Sequence, residues 1–117
     1  MNLYEHTIIA RQDTSPAELK QLTDKYSKIV EKNQGEIVKT ENWGLLNLSH
    51  FIKKNKKGCY IHFKIKGDGK MINELEKNES LDNKLLRSLT VRVKNFDLET
   101  IYFNDKKVDL EKKEQKN

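Results

Sequence analysis

The 117-residue chain predicts a single α+β domain of the ferredoxin-like kind, a four-stranded antiparallel sheet with two helices on one face. Three observations predict it. The apolar pattern changes period in the order β-α-β-β-α-β, only a hairpin-length polar stretch separates the second and third strands, and 35% hydrophobic content in 117 residues fills one core rather than two.

Residues 3–11 (LYEHTIIAR) are β-branched and aromatic-rich and end at Gln12-Asp13-Thr14-Ser15-Pro16, which gives a first strand and a loop. Ser15 and Glu18 form the S-x-x-E capping box, with Pro16 in the first turn. Leu19, Leu22, Tyr26, Ile29 and Val30 follow at helical spacing, and Gly35 is expected to supply the positive φ that ends a helix over 16–33.

No helical period survives from Glu36 to Ile52. Ile37, Val38, Trp43, Leu46, Leu48, Phe51 and Ile52 suit a long strand interrupted by a bulge at Gly44. The chain then turns within Lys53–Gly58, and the third strand shows the clearest alternation: Cys59, Ile61, Phe63 and Ile65 against Tyr60, His62, Lys64 and Lys66. One of its faces is core and the other aromatic and basic. Asp68 caps a shorter helix carrying Met71, Ile72 and Leu75, and a last strand near 86–94 puts Leu89, Val91 and Val93 opposite Ser88, Thr90, Arg92 and Lys94. The domain spans 1–103. The charged segment 104–117 has too little apolar area to offset the entropy of ordering it and is expected to be a disordered tail. Two helices leave one sheet face uncovered, and function is sought there.

The net charge of +5 is unevenly placed. Residues 53–70 hold seven lysines and one acid, and 84–94 hold Lys84, Arg87, Arg92 and Lys94 with no acid, so the rest of the chain is net negative. Two basic segments on neighbouring parts of a fold suit a run of phosphates, because each contact releases a condensed counterion. Tyr60 and His62 among those lysines add surfaces for stacking on a base or packing on a protein. The plainer alternative is a solvated, solubilising face.

Other classes find less support. No apolar run reaches the roughly 18 residues of a membrane span, and MNLYEHTIIA lacks the basic start of a signal peptide, so a cytoplasmic protein is expected. Cys59 is the only cysteine and reads as a small core residue. It lies on the opposite strand face from His62, so the pair offers no metal site, and no cofactor is implied. His6 reads as a packed histidine and Trp43 as a packing residue at the bulge. Gly67-Asp68-Gly69 is a turn and cap, not a phosphate loop. Acylphosphatase-like hydrolases share the topology and bind anions after the first strand, where this chain has Arg11-Gln12-Asp13-Thr14 with an acid and no glycine. An enzyme and a small-molecule substrate are therefore not expected. RNA-recognition-motif domains, the other binding alternative, open their third-strand motif basic-Gly-aromatic-Gly-aromatic, of which Lys57-Gly58-Cys59-Tyr60-Ile61 keeps only the first pair.

The run Trp43-Gly44-Leu45-Leu46-Asn47-Leu48-Ser49-His50-Phe51-Ile52-Lys53 resembles the signature segment of the bacterial small-subunit ribosomal protein six family. Gly44, Asn47, Leu48, Ser49, Ile52 and Lys53 fit its pattern, whereas Leu46 and His50 depart from it. Leu46 stands where a basic residue is usual, so a phosphate contact is either absent or taken over by the lysines of the next turn. Tyr4-Glu5, Gly58-Cys59-Tyr60 and the segment Leu81–Val91 also sit where similar family residues do, and the likeness covers residues 1–94. The resemblance implies a structural, ribosome-bound protein that pairs with small-subunit ribosomal protein eighteen and binds the central domain of small-subunit ribosomal RNA. Lys53, Lys54, Lys56, Lys57, Lys64, Lys66, Arg87, Arg92 and Lys94 are the expected RNA contacts. Trp43, Tyr60 and His62 are the expected partner interface.

Overall fold

The structure, a computed structural model, describes residues 1–96. Its elements run β1 (Asn2–Arg11), α1 (Pro16–Lys32), β2 (Glu36–Ile52), β3 (Asn55–Gly67), α2 (Gly69–Ser80) and β4 (Leu85–Val93). The sheet order is β2-β3-β1-β4, with every neighbouring pair antiparallel. This is the ferredoxin-like arrangement expected from the sequence. The expected domain end at residue 103 and the tail over 104–117 lie outside the described residues.

Tyr4, Ile8 and Ala10 of β1 and Cys59, Ile61, Phe63 and Ile65 of β3 face the helices. There they meet Leu22, Tyr26 and Val30 of α1 and Met71, Ile72 and Leu75 of α2, so period 2 in the strands and period 3.6 in the helices converge on one core. Cys59 is among these core residues; its Sγ lies 3.6 Å from the Arg11 carbonyl, and burial pushes its pKa up.

Both helices start as their caps dictate. Ser15 accepts from the Glu18 amide, and Glu18 accepts from the Ser15 amide. Asp68 accepts from the Met71 amide. The end of α1 differs from expectation, because Gln34, not Gly35, takes the positive φ of 62°. The Gly35 and Gln34 amides donate back to the Val30 and Glu31 carbonyls, the double hydrogen bond of a Schellman end. Gly35 is required for another reason: a Cβ there would sit 2.8 Å from Val30 Cγ1 and 3.2 Å from the Lys66 carbonyl.

The bulge falls where the sequence put it. The β2–β3 register shifts between Asn42 and Gly44, Gly44 has φ +86°, and Trp43 is the extra residue. The turn is tighter than expected, for Ile52 already pairs with Asn55 and only Lys53 (φ 48°) and Lys54 (φ 70°) stand between. A two-residue hairpin of type I′ has positive φ at both positions, and here two lysines adopt it.

Beyond Leu85, which packs in the core opposite Ala10, the β4 residues that face the helices are polar. Thr90 lies opposite His6 and Ser88 opposite Ile8. The buried His6 ring puts Nε2 2.7 Å from Glu79 Oε2 and Nδ1 2.7 Å from Thr90 Oγ1, whose hydroxyl donates to Glu76 at 2.8 Å. Leu89, Val91 and Val93 are consequently left on the uncovered face, with Leu89 45% and Val91 58% exposed.

Candidate protein and nucleic-acid interfaces

The sheet face left uncovered among the described residues is built from Leu3, Glu5, Thr7 and Ile9 of β1, Tyr60, His62, Lys64 and Lys66 of β3, Arg87, Leu89, Val91 and Val93 of β4, and Glu41 of β2. It has two halves. Along β4 and the start of β1 runs an apolar strip of Leu3, Leu89, Val91 and Val93. Along β2 and β3 lies an aromatic stack over a polar network.

The bulge swings Trp43 onto this face. Its indole stacks on the His62 imidazole, and Tyr60 lies beyond at 6.5 Å between ring centroids. Trp43 Nε1 donates to Glu41 Oε1 at 2.7 Å, while Glu41 Oε2 lies 3.2 Å from Lys39 and 3.7 Å from Lys64. Burial works against ionisation of Glu41, yet the Trp43 and Lys39 hydrogen bonds and the Lys64 charge hold its pKa below the usual value. His62 shares its Nδ1 with the Thr7 hydroxyl at 2.8 Å and has Glu5 3.4 Å from Nε2. Burial, reinforced by the Lys64 charge, lowers its pKa to about 4, so the ring is neutral at pH 7. Trp43 and Tyr60 are half-buried and can be touched from outside; His62, 4% exposed, lies beneath Trp43 and supports it.

The nine basic positions do not form one cradle. Lys53, Lys54, Lys56, Lys57 and Arg87 are exposed at the end of the sheet where β1 finishes. Lys66, Arg92 and Lys94 are exposed at the opposite end. Lys66 pairs with Leu3 and Arg87 with Ile9, six residues along β1, which is roughly 20 Å. Arg92 also donates to Asn2 Oδ1 at 2.8 Å. Lys64 belongs to neither group, being 0% exposed beside Glu41, so its ammonium serves the sheet instead of a phosphate.

The hairpin tip is fixed to the body of the domain. Buried Asn55 accepts from the Gln12 amide at 3.1 Å and donates to the Ile52 and Lys53 carbonyls, while the Lys57 amide donates to Gln12 Oε1. This also disposes of an anion loop after β1, since the Gln12 amide is taken by Asn55 and the Thr14 amide by the Arg11 carbonyl. Among the described residues, no group of three or more His, Cys, Asp and Glu is placed to hold a metal ion, and no helix is long and apolar enough to cross a membrane.

The apolar strip and the Glu5–Thr7–Glu41 network around His62 escaped the sequence reading. Alternation marks the two faces of β4 but not which faces inward; the signal that could have decided it is the polar pairing of Thr90 with His6 across the sheet.

An uncovered sheet face with an aromatic stack and an apolar strip, beside a hairpin that presents lysines, defines a binding domain of the ferredoxin-like class. The family model for ribosomal protein S6 matches residues 3–92, and the chain belongs to that family. A small ribosomal subunit protein bS6 of Pelagibacter ubique is 72% identical over 116 residues, spanning 99% of this chain and 95% of its own length. One from Caulobacter vibrioides is 41% identical over 99 residues, 85% of this chain and 79% of its own. The solved structure of 30S ribosomal protein S6 from Thermotoga maritima superposes with a TM-score of 0.75 at 28% identity, covering 98% of this chain and 95% of that one. The chain is thus a ribosomal protein of the small subunit, working on the ribosome in the cytoplasm, and its family is not one of enzymes.

Proposed function

We propose that this family member binds the central domain of small-subunit ribosomal RNA together with ribosomal protein eighteen, as a structural constituent of the subunit. The observation that carries the reading is the segregation of surfaces. Exposed Lys53, Lys54, Lys56, Lys57 and Arg87 gather at one end, and the apolar strip through Leu89 and Val91 occupies the open face. Cations displayed on a fixed hairpin suit phosphates, whereas Leu89, Val91 and the half-buried Trp43 and Tyr60 suit a protein. Lys66, Arg92 and Lys94 serve as contacts for a second stretch of RNA or for the partner's acids.

The test is binding of the full chain to a central-domain RNA fragment with and without ribosomal protein eighteen. Tight binding only with both proteins, lost on Val91→Glu through failure to pair, is the expected result. Equal binding by the single protein, or pairing indifferent to Val91→Glu, contradicts it.

A further inference from the structure

Lys53 of the hairpin tip and Arg87 of β4 line one cleft of about 270 Å³. Its lining also includes Asn83, Ser88 and two leucines, Leu85 and Leu86, 5% and 9% exposed. Two acids also border it: Asp82 is engaged, and Glu79 is engaged through Oε2 while its buried Oε1 has no hydrogen-bond partner among the described residues. Asp82 Oδ2 accepts from the Tyr26 hydroxyl at 2.6 Å and from Lys25 at 3.2 Å, and Glu79 Oε2 faces His6. Among the described residues, no ion pair or side-chain hydrogen bond holds the Lys53 ammonium or the Arg87 guanidinium. The backbone at Lys53 is nonetheless fixed over the cleft, at a φ that L residues disfavour, by the amide of buried Asn55.

We propose that this cleft seats one unpaired nucleotide of an RNA strand, its phosphate between Lys53 and Arg87 and its base against Leu85 and Leu86. The proposal rests on the RNA-binding reading above and names where a strand is gripped. Two cations lining one cleft suit the two free oxygens of one phosphodiester, and the guanidinium fork can take both. The volume falls below that of most metabolite pockets and fits a single nucleotide, not a helix. The apolar lining of Leu85 and Leu86 accepts a base only when the base has left its own stack, so the cleft favours single strands.

The experiment maps amide shifts of the full chain at low salt with a single-stranded RNA of about six nucleotides, a duplex of the same length, and inorganic phosphate. Shifts at Lys53, Asn83, Arg87 and Ser88 with the single strand alone are expected. Lys53→Ala and Arg87→Ala should each weaken that binding about fivefold and lower the salt slope by about one, with Lys28→Ala, an exposed lysine on α1, within about twofold of the parent. Equal shifts with the duplex, or with phosphate alone, overturn the nucleotide seat, as does unchanged affinity in both cleft variants. If Lys54→Ala, Lys56→Ala and Lys57→Ala together abolish ribosomal RNA binding while the cleft variants retain it, the cleft falls and the RNA-binding reading stands. If all retain it, both fall.

Discussion

The Trp43 indole lies 4.6 Å from the His62 imidazole with the ring planes 11° apart. An aromatic lid of this kind is what removes His62 from water on a face that no helix among the described residues covers, and the neutral ring is the consequence.

That neutrality makes stability depend on pH. With a pKa of about 4 when folded against an ordinary value of 6.5, His62 binds fewer protons in the native state between those values. Stability is therefore greatest above pH 6.5 and declines as pH falls toward 4, by up to about 3 kcal/mol. Denaturant titrations at pH 7 and pH 5 should show this decline for the parent and a smaller one for His62→Gln. Parallel declines would remove His62 as the cause.

His6 and Glu79 form a buried pair on the other side of the sheet. His6→Ala strands a carboxylate in the core and should cost about 3–5 kcal/mol, whereas His6→Leu with Glu79→Met, which removes both polar groups, should be far milder. Urea melts of the single and double variants check this. Equal losses would mean the two residues are not coupled.

The Lys53-Lys54 turn holds two lysines where Asn and Gly are at ease. The double substitution Lys53→Asn with Lys54→Gly should stabilise the domain by about 1 kcal/mol while weakening RNA binding. Thermal melts and RNA titrations on the same protein separate the effects. A gain in stability with RNA binding intact would show that the strained lysines are not kept for RNA.

The parts of the fold visible in sequence were those set by local chemistry. The capping box at Ser15, the Asp68 cap, the alternation through Cys59–Ile65 and the bulge at Gly44 each depend on neighbours in the chain. What was hidden depends on register. Gln34 takes the left-handed position because Gly35 is claimed by the close approach of Val30 and Lys66. The inward face of β4 is chosen by His6, Glu76 and Glu79, residues far from it in sequence. The site was visible as composition but not as shape. Basic residues that look contiguous along the chain are divided between two ends of the sheet, and Lys64, in the midst of them, is buried.

On the proposed function, the hairpin end, not the sheet as a whole, meets RNA. This is tested most directly by the salt dependence of binding to the central-domain RNA, with ribosomal protein eighteen present, for the parent and for the combined Lys54→Ala, Lys56→Ala and Lys57→Ala variant. The expected log–log slope is lower by about three in the variant, with affinity down by one or more orders of magnitude and stability changed by less than about 0.5 kcal/mol per site. An unchanged slope in a folded variant would contradict it.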